Sequence, residues 1–212
     1  MDITIAILNF NRSKFLDRSL RSCLEQLTIN KKIEIIVVDD NSKDDSLKYL
    51  SQFKKYIKII KNTKNKGVGF CSNLAVKKSK GKYFLRVDSD DYINKFTCHI
   101  MSEILDNDPK MSFVYSDHFR VNERSIKQKI VKIDNRKKLF LHGAGIMFRK
   151  KDIVEVGNYN KLFREGEDHE LIKKLIKKKK KFFRIPIPLY RYYIHNQNLS
   201  STGNRDKYIK NI

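Results

Sequence analysis

Two acidic clusters carry the clearest chemical signal, by position as much as by residue type. Asp39-Asp40-Asn41-Ser42 directly follows the apolar run Ile35-Ile36-Val37-Val38, and Asp88-Ser89-Asp90-Asp91 follows Phe84-Leu85-Arg86-Val87 in the same way. Each arrangement puts carboxylates at the carboxyl end of a buried strand, where open α/β sheets bind ligands. Three acids within residues 88–91 repel one another, which costs stability unless a cation or water screens them. Carboxylates are the ligands that Mg²⁺ or Mn²⁺ take, with phosphate oxygens and water completing the shell. Read alone, the first cluster is also ordinary Asp-Asn-Ser turn chemistry, and the second is also a solvated acidic turn. Glu167-Asp168 opens a predicted helix, where an acid caps the first turn and complements the dipole. His195, in Tyr192-Tyr193-Ile194-His195, is a lone histidine, which by itself is more often structural than functional.

The elements that must position these residues follow from periodicity. Short β-branched runs alternate with stretches of helical spacing, which points to a mostly parallel sheet wrapped by helices. Strands are predicted at Ile3 to Leu8, Ile33 to Val38, Ile57 to Ile60 and Tyr83 to Val87. Between the first two, Leu16, Leu20, Cys23, Leu24 and Leu27 share one helical face, with Ser13 as N-cap. Later helices are marked by Leu47 with Leu50, Ile100 with Ile104, and Leu171 with Leu175. Strand-like segments at Ser112 to Tyr115, Lys129 to Ile133, Ile146 to Arg149 and Pro188 to Ile194 predict a small mixed-sheet extension. One domain over 1–195 is expected, with 196–212 a mobile tail or the stump of a longer protein.

Composition narrows the setting. Three widely spaced cysteines, Cys23, Cys71 and Cys98, suggest neither a disulfide framework nor a zinc site, which fits a reducing cytoplasm. No leader or membrane-spanning stretch is read from the sequence. The net charge of +22 suits nucleic acid, an anionic membrane or phosphorylated substrates equally, and also fits a compositional bias toward Lys, Asn and Ile. The lysines at 173, 174 and 177–181, followed by Phe182 and Phe183, form either a solvated helix face or a contact for an anionic membrane.

Taken together and in order, these segments resemble the family 2 glycosyltransferases, inverting enzymes with the single-domain GT-A fold. Ile5-Ala6-Ile7-Leu8-Asn9-Phe10-Asn11-Arg12 is similar to the family's opening strand and aromatic-Asn-Arg turn. Ser22-Cys23-Leu24-Glu25-Gln26 and Ile33 to Ser46 are similar to the segments that follow. Asn65-Lys66-Gly67-Val68-Gly69 with Asn73 resembles the next loop and helix, and Asp88-Ser89-Asp90-Asp91 the metal-binding Asp-x-Asp segment. Gly143-Ala144-Gly145, Gly157-Asn158-Tyr159, Gly166-Glu167-Asp168 and His195 complete the resemblance. One departure is visible: Cys71-Ser72-Asn73 stands where the family often has Ala-Arg-Asn, so an arginine expected near the nucleotide is missing.

The resemblance implies an α/β Rossmann-like fold and transfer of a hexosyl or N-acetylhexosaminyl group from a nucleotide-sugar to an acceptor hydroxyl. It implies Mn²⁺ or Mg²⁺ at Asp90 and His195, and a donor nucleotide, most simply a UDP-sugar, at Phe10, Asn11, Asp39, Asp40, Gly67 and Asp88. Gly143, Gly145 and Glu167 fall on the acceptor side, and Asp168 is the general base. The expected partners are a glycan or lipid-linked acceptor of bacterial surface polysaccharide assembly and an anionic membrane face, not nucleic acid. Two rivals are weaker. A basic nucleic-acid binder leaves the acids at strand ends unexplained, and a sugar-phosphate nucleotidyltransferase needs a Gly-rich loop where Asn9-Phe10-Asn11-Arg12 stands.

Overall fold

The computed structural model describes residues 1–122, 126–140, 143, 145–163, 166–196 and 198. The first half alternates as expected: β1 (Ile3–Asn9), α1 (Ser13–Leu24), β2 (Ile33–Asp39), α2 (Ser46–Ser51), β3 (Lys58–Lys61), α3 (Val68–Lys78) and β4 (Tyr83–Asp88). There follow β5 (Tyr92–Ile93), α4 (Thr97–Asn107), β6 (Met111–Val121), β7 (Lys127–Val131), α5 (Arg136–Phe140), β8 (Ile146–Arg149), α6 (Lys150–Glu155), α7 (Glu167–Lys177) and β9 (Lys181–Tyr193). One sheet runs in the order β3-β2-β1-β4-β8-β6-β9-β5, with β7 on β6. Its first four strands are parallel, and β8 enters antiparallel to both β4 and β6, which begins the mixed extension.

Strand alternation divides the core between the two faces of the sheet. Ile3, Ile5 and Ile7 of β1 pack with Leu16 and Leu20 of α1 and Met101 and Leu105 of α4. Ala6, Ile36, Val38 and Phe84 point the other way, onto Cys71 and Ala75 of α3 and Leu171, Ile172 and Leu175 of α7. The same alternation gathers the carboxyl ends of β1, β2 and β4 along one edge, because their registers align Asn9 with Asp39 and Leu8 with Asp88.

Several boundaries differ from expectation for identifiable reasons. Ser13 is already helical, so its hydroxyl makes no cap, and its backbone amide instead donates to Asp44 Oδ2 at 2.8 Å. Leu27 leaves the predicted helical face because Gln26 Nε2 donates to the carbonyls of Ser22 and Asn94, both at 2.8 Å. This closes the helix, and Leu27 is left half exposed. β6 continues past Tyr115 through a polar stretch because Asp117 is buried and accepts from Ile133 N–H at 2.9 Å and from Arg184 Nη2 at 2.7 Å. β9 starts before its prolines. Pro186 and Pro188 are tolerated because the strand is paired on one side by β6, while β5 covers only its far end. The expected tail lies outside the described residues except for Asn196 and Asn198. Asn198 is buried, accepts from His195 N–H at 2.7 Å and donates to the Tyr193 carbonyl at 2.9 Å.

Candidate active site

The edge formed by β1, β2 and β4 opens into a cavity of about 980 Å³ that continues to the first turn of α7. Phe10, Asp40 and Gly67 line one end, Asp88, Asp90 and Asp91 the middle, and Gly143, Glu167 and Asp168 the other.

At the first end the turns hold one another. Asp39 is fully buried behind the cavity wall, where its carboxylate accepts from Asn9 Nδ2 at 2.9 Å and Ser42 N–H at 3.0 Å. Ser42 Oγ in turn accepts from Asn11 N–H at 3.0 Å, and Asn11 takes the left-handed conformation with φ of 52°. Asn11 therefore acts in the turn, not in the wall, and the neighbouring Phe10 ring is left 43% exposed at the cavity mouth. Asp40 accepts from Asn62 Nδ2 at 2.7 Å and from the backbone amides of Lys66 and Gly67. That ties the end of β2 to the loop entering α3, where Gly67 has φ of 86° and a side chain would be strained.

The three acids of the 88–91 turn have different fates. Asp91 is buried and points inward, accepting from Tyr190 Oη and Tyr193 N–H, both at 2.8 Å. Burial and the adjacent charges of Asp90 and Asp88 push its carboxyl well above the usual range. Asp90 stays in the cavity with Oδ2 2.9 Å from His195 Nε2 and 3.5 Å from Arg12 Nε. His195 lies outside the wall itself, held between the rings of Phe15 and Tyr193 at centroid distances of 4.5 and 5.2 Å. Arg18 and Ser19 of α1 fix the turn's backbone by donating to the carbonyls of Asp90 and Asp88.

The structure adds Arg86 to the cavity, a residue that the sequence motifs do not single out. It sits in the middle of β4, is 8% exposed, and lines the cavity. Its Nε lies 3.4 Å from Asp88 Oδ1, its Nη2 3.2 Å from Asp168 Oδ2, and its Nη1 bonds Glu167 Oε1. Nη1 also donates to Ser72 Oγ at 3.4 Å, so a guanidinium stands beside the position at which the expected arginine is absent. The signal was available: a charged residue inside the run Tyr83-Phe84-Leu85-Arg86-Val87, buried on both faces, requires partners. Asp168 also accepts from His169 N–H at 2.8 Å, and a side chain at Gly143 would overlap it, with a Cβ only 1.1 Å from Oδ2. Gly143 is therefore the residue that lets the acid lie against this wall. Gly145 is buried, with φ of 69°, and takes no part in the wall.

Among the described residues, no three His, Cys, Asp or Glu side chains form a cluster that would hold a metal unaided. Asp90 with His195 fits a cation that draws the rest of its shell from phosphate and water, as Mg²⁺ commonly does.

The α/β sheet, the acids at its carboxyl edge and the order of the motifs define a family, and the comparisons agree. The profile of Glycosyl transferase family 2 matches residues 4–165, and the chain belongs to that family. It is 42% identical over 97 residues to a poly(ribitol-phosphate) beta-glucosyltransferase of Bacillus spizizenii, covering 44% of this chain and 15% of that protein. It is 30% identical over 109 residues to the poly(ribitol-phosphate) beta-N-acetylglucosaminyltransferase TarS of Staphylococcus aureus, covering 50% of this chain and 19% of TarS. The chain thus matches less than a fifth of the length of either relative. A crystal structure of S. aureus TarS 1–349 with UDP-GlcNAc superposes with a TM-score of 0.81 over 96% of this chain and 61% of that one, at 21% identity. A mannosyltransferase of Pyrobaculum calidifontis with GDP-Man and Mn²⁺ gives 0.76 over 94% and 59%, at 16% identity. The fold is therefore the GT-A fold.

Burial and the charge of Asp168 push Glu167 up to about 7, against the opposing pull of Arg86. A carboxyl raised on folding favours the folded state while protonated, and that contribution is lost as pH rises from the ordinary value of 4.5 toward 7. The urea midpoint of wild type should fall more steeply over this window than that of Glu167→Gln. Parallel profiles would show that Glu167 ionises in the fold as it does in water.

Proposed function

We propose that the chain transfers a sugar from a nucleoside diphosphate, most simply UDP, to an acceptor hydroxyl with inversion of configuration. The observation that carries this reading is a single cavity joining the Phe10 and Asp40 turns, the Asp88–Asp90 turn with His195 beside it, and Asp168. Supporting the donor class, solved structures that share the fold include complexes with UDP-GlcNAc and with GDP-Man.

The chemistry sets three demands. The base and ribose must be held: Phe10 offers an exposed ring to stack on the base, Asp40 and Gly67 shape the wall, and Asp88 faces the ribose. Asp39 and Asn11 serve by fixing the turn that carries Phe10. The leaving diphosphate is an anion in a cavity rich in carboxylates, so its charge must be offset. Asp90 and His195 would hold Mn²⁺ or Mg²⁺, which supplies positive charge to the leaving group. The acceptor hydroxyl must lose a proton as it attacks the anomeric carbon, and Asp168 is positioned to take it. A single displacement with the acceptor entering opposite the leaving group inverts the anomeric centre.

The acceptor we propose is a glycan or lipid-linked glycan of bacterial surface polysaccharide assembly, a reading supported by similarity to two poly(ribitol-phosphate) glycosyltransferases. No helix among the described residues is long and apolar enough to cross a membrane. We assign a contact with the inner face of an anionic membrane to the end of α7 and the start of β9, where Lys177, Lys178, Lys179, Lys181, Phe183 and Ile187 are each exposed. Phe182 is excluded from that patch because it stacks on Phe113 in the core, and Lys180 because it is paired with Asp152 and Glu155. Each basic residue near an anionic surface contributes ~1 kcal/mol.

Two tests follow. Asp168→Asn should bind the donor as wild type does and lose transfer by about 10²–10⁴-fold, measured with UDP-GlcNAc and poly(ribitol phosphate) in Mn²⁺. Transfer within a few-fold of wild type would reduce Asp168 to an acid that only complements the dipole in the first turn of α7. For the membrane contact, wild type should co-sediment with phosphatidylglycerol vesicles at low salt and release at high salt. A variant with Gln at Lys177, Lys178, Lys179 and Lys181 should stay in solution. Equal binding of the two proteins, or no binding by wild type, would remove the assignment.

A further inference from the structure

We propose that Arg86 is a positioning residue for the transfer step, holding Asp168 in its working orientation and tying it to Asp88 across the cavity. The proposal rests on the reading of Asp168 as the proton acceptor.

Placing a guanidinium in a central strand is costly unless its donors are satisfied, and here they are satisfied by side chains of the site. Asp88 ends β4 itself, whereas Glu167 and Asp168 open α7, about eighty residues later in the chain. Arg86 is therefore the covalently fixed link between the half of the cavity that faces the donor and the half that carries the base. Its planar fork addresses Glu167 through Nη1 and Asp168 through Nη2, so one rigid group sets the relative placement of two adjacent carboxylates.

Asp168 is then pinned on both oxygens, with Oδ2 to Arg86 and Oδ1 to the His169 amide, while Gly143 leaves room beside Oδ2. A carboxylate with both oxygens directed has little rotational freedom to lose when the acceptor arrives. Orientation of this kind acts on turnover more than on donor affinity, because the guanidinium's hydrogen bonds to carboxylates go to Glu167 and Asp168, whereas Asp88 on the donor side is met only by an ion pair at 3.4 Å. A residue that served only to hold α7 on the sheet would affect stability and leave the kinetics of the folded fraction unchanged.

Lysine keeps the charge and loses the fork, so Arg86→Lys separates the two roles. With UDP-GlcNAc, Mn²⁺ and poly(ribitol phosphate), kcat should fall on the order of 10–100-fold, as expected for misplacement by about 1 Å, with donor KM within about twofold. In the Asp168→Asn background the same change should cost no further kcat, because the group being positioned is gone. If Arg86→Lys does not fold, the pair Arg86→Gln with Glu167→Gln removes one cation and one anion together. It should show the same loss of kcat relative to Glu167→Gln alone. Wild-type kcat in the folded variants, or a loss that adds fully to that of Asp168→Asn, would overturn the proposal. Full transfer by Asp168→Asn itself would instead overturn the underlying reading of the base, so the two failures are distinguishable.

Discussion

The crowding of carboxylates at the carboxyl edge of the sheet is the constraint on which the rest of the site depends. Parallel pairing of β1, β2 and β4 in aligned register brings the Asp39–Asp40 and Asp88–Asp91 turns to one edge, and α7 adds Glu167 and Asp168. Like charges so close destabilise the fold unless each finds a cation or a set of N–H and O–H donors. The protein uses both remedies, and the choice made at each acid decides what that acid can do.

Asp39, Asp40 and Asp91 are satisfied by scaffold donors: side chains of Asn9, Asn62 and Tyr190, and backbone amides of Ser42, Lys66, Gly67 and Tyr193. They stitch turns together. Asp88, Asp90, Glu167 and Asp168 are instead met by basic side chains of the site, namely Arg86, Arg12 and His195. Those four acids line the cavity, where a ligand that brings its own charges would meet them. Under the proposed function, stability and catalysis are thus divided within the same acidic clusters, residue by residue.

The fold was legible where apolar periodicity is strong. β1, β2, β4 and β8 and the buried face of α7 followed from the sequence within a residue or two, because each is a short buried run with abrupt polar ends. β6 and β9 were cut short because their middles carry Asp117, Arg184 and two prolines, whose burial and pairing depend on partners distant in the chain. At the site, motif order pointed to Phe10, Asp40, Asp88, Asp90, Gly143 and Asp168, all of which line one cavity. The resemblance singled out Asp90 and not Asp91, a distinction that residue type alone does not explain, since adjacent acids on one turn diverge only through tertiary donors such as Tyr190 Oη and Tyr193 N–H. Arg86 belongs to no motif, and its partners Glu167 and Asp168 lie about eighty residues away in the chain, so its place in the site emerges only with the fold.

The role of the acids that remain in the cavity is tested most directly by calorimetric titration of UDP into the protein with Mn²⁺, repeated with Asp90→Ala and with EDTA. Wild type should bind UDP only when the metal is present. Asp90→Ala should fold normally, having lost one of several mutually repelling charges, and should no longer bind the metal-nucleotide complex. Wild-type affinity in Asp90→Ala, or binding indifferent to EDTA, would contradict the assignment of this cavity as a metal-dependent nucleotide-sugar site.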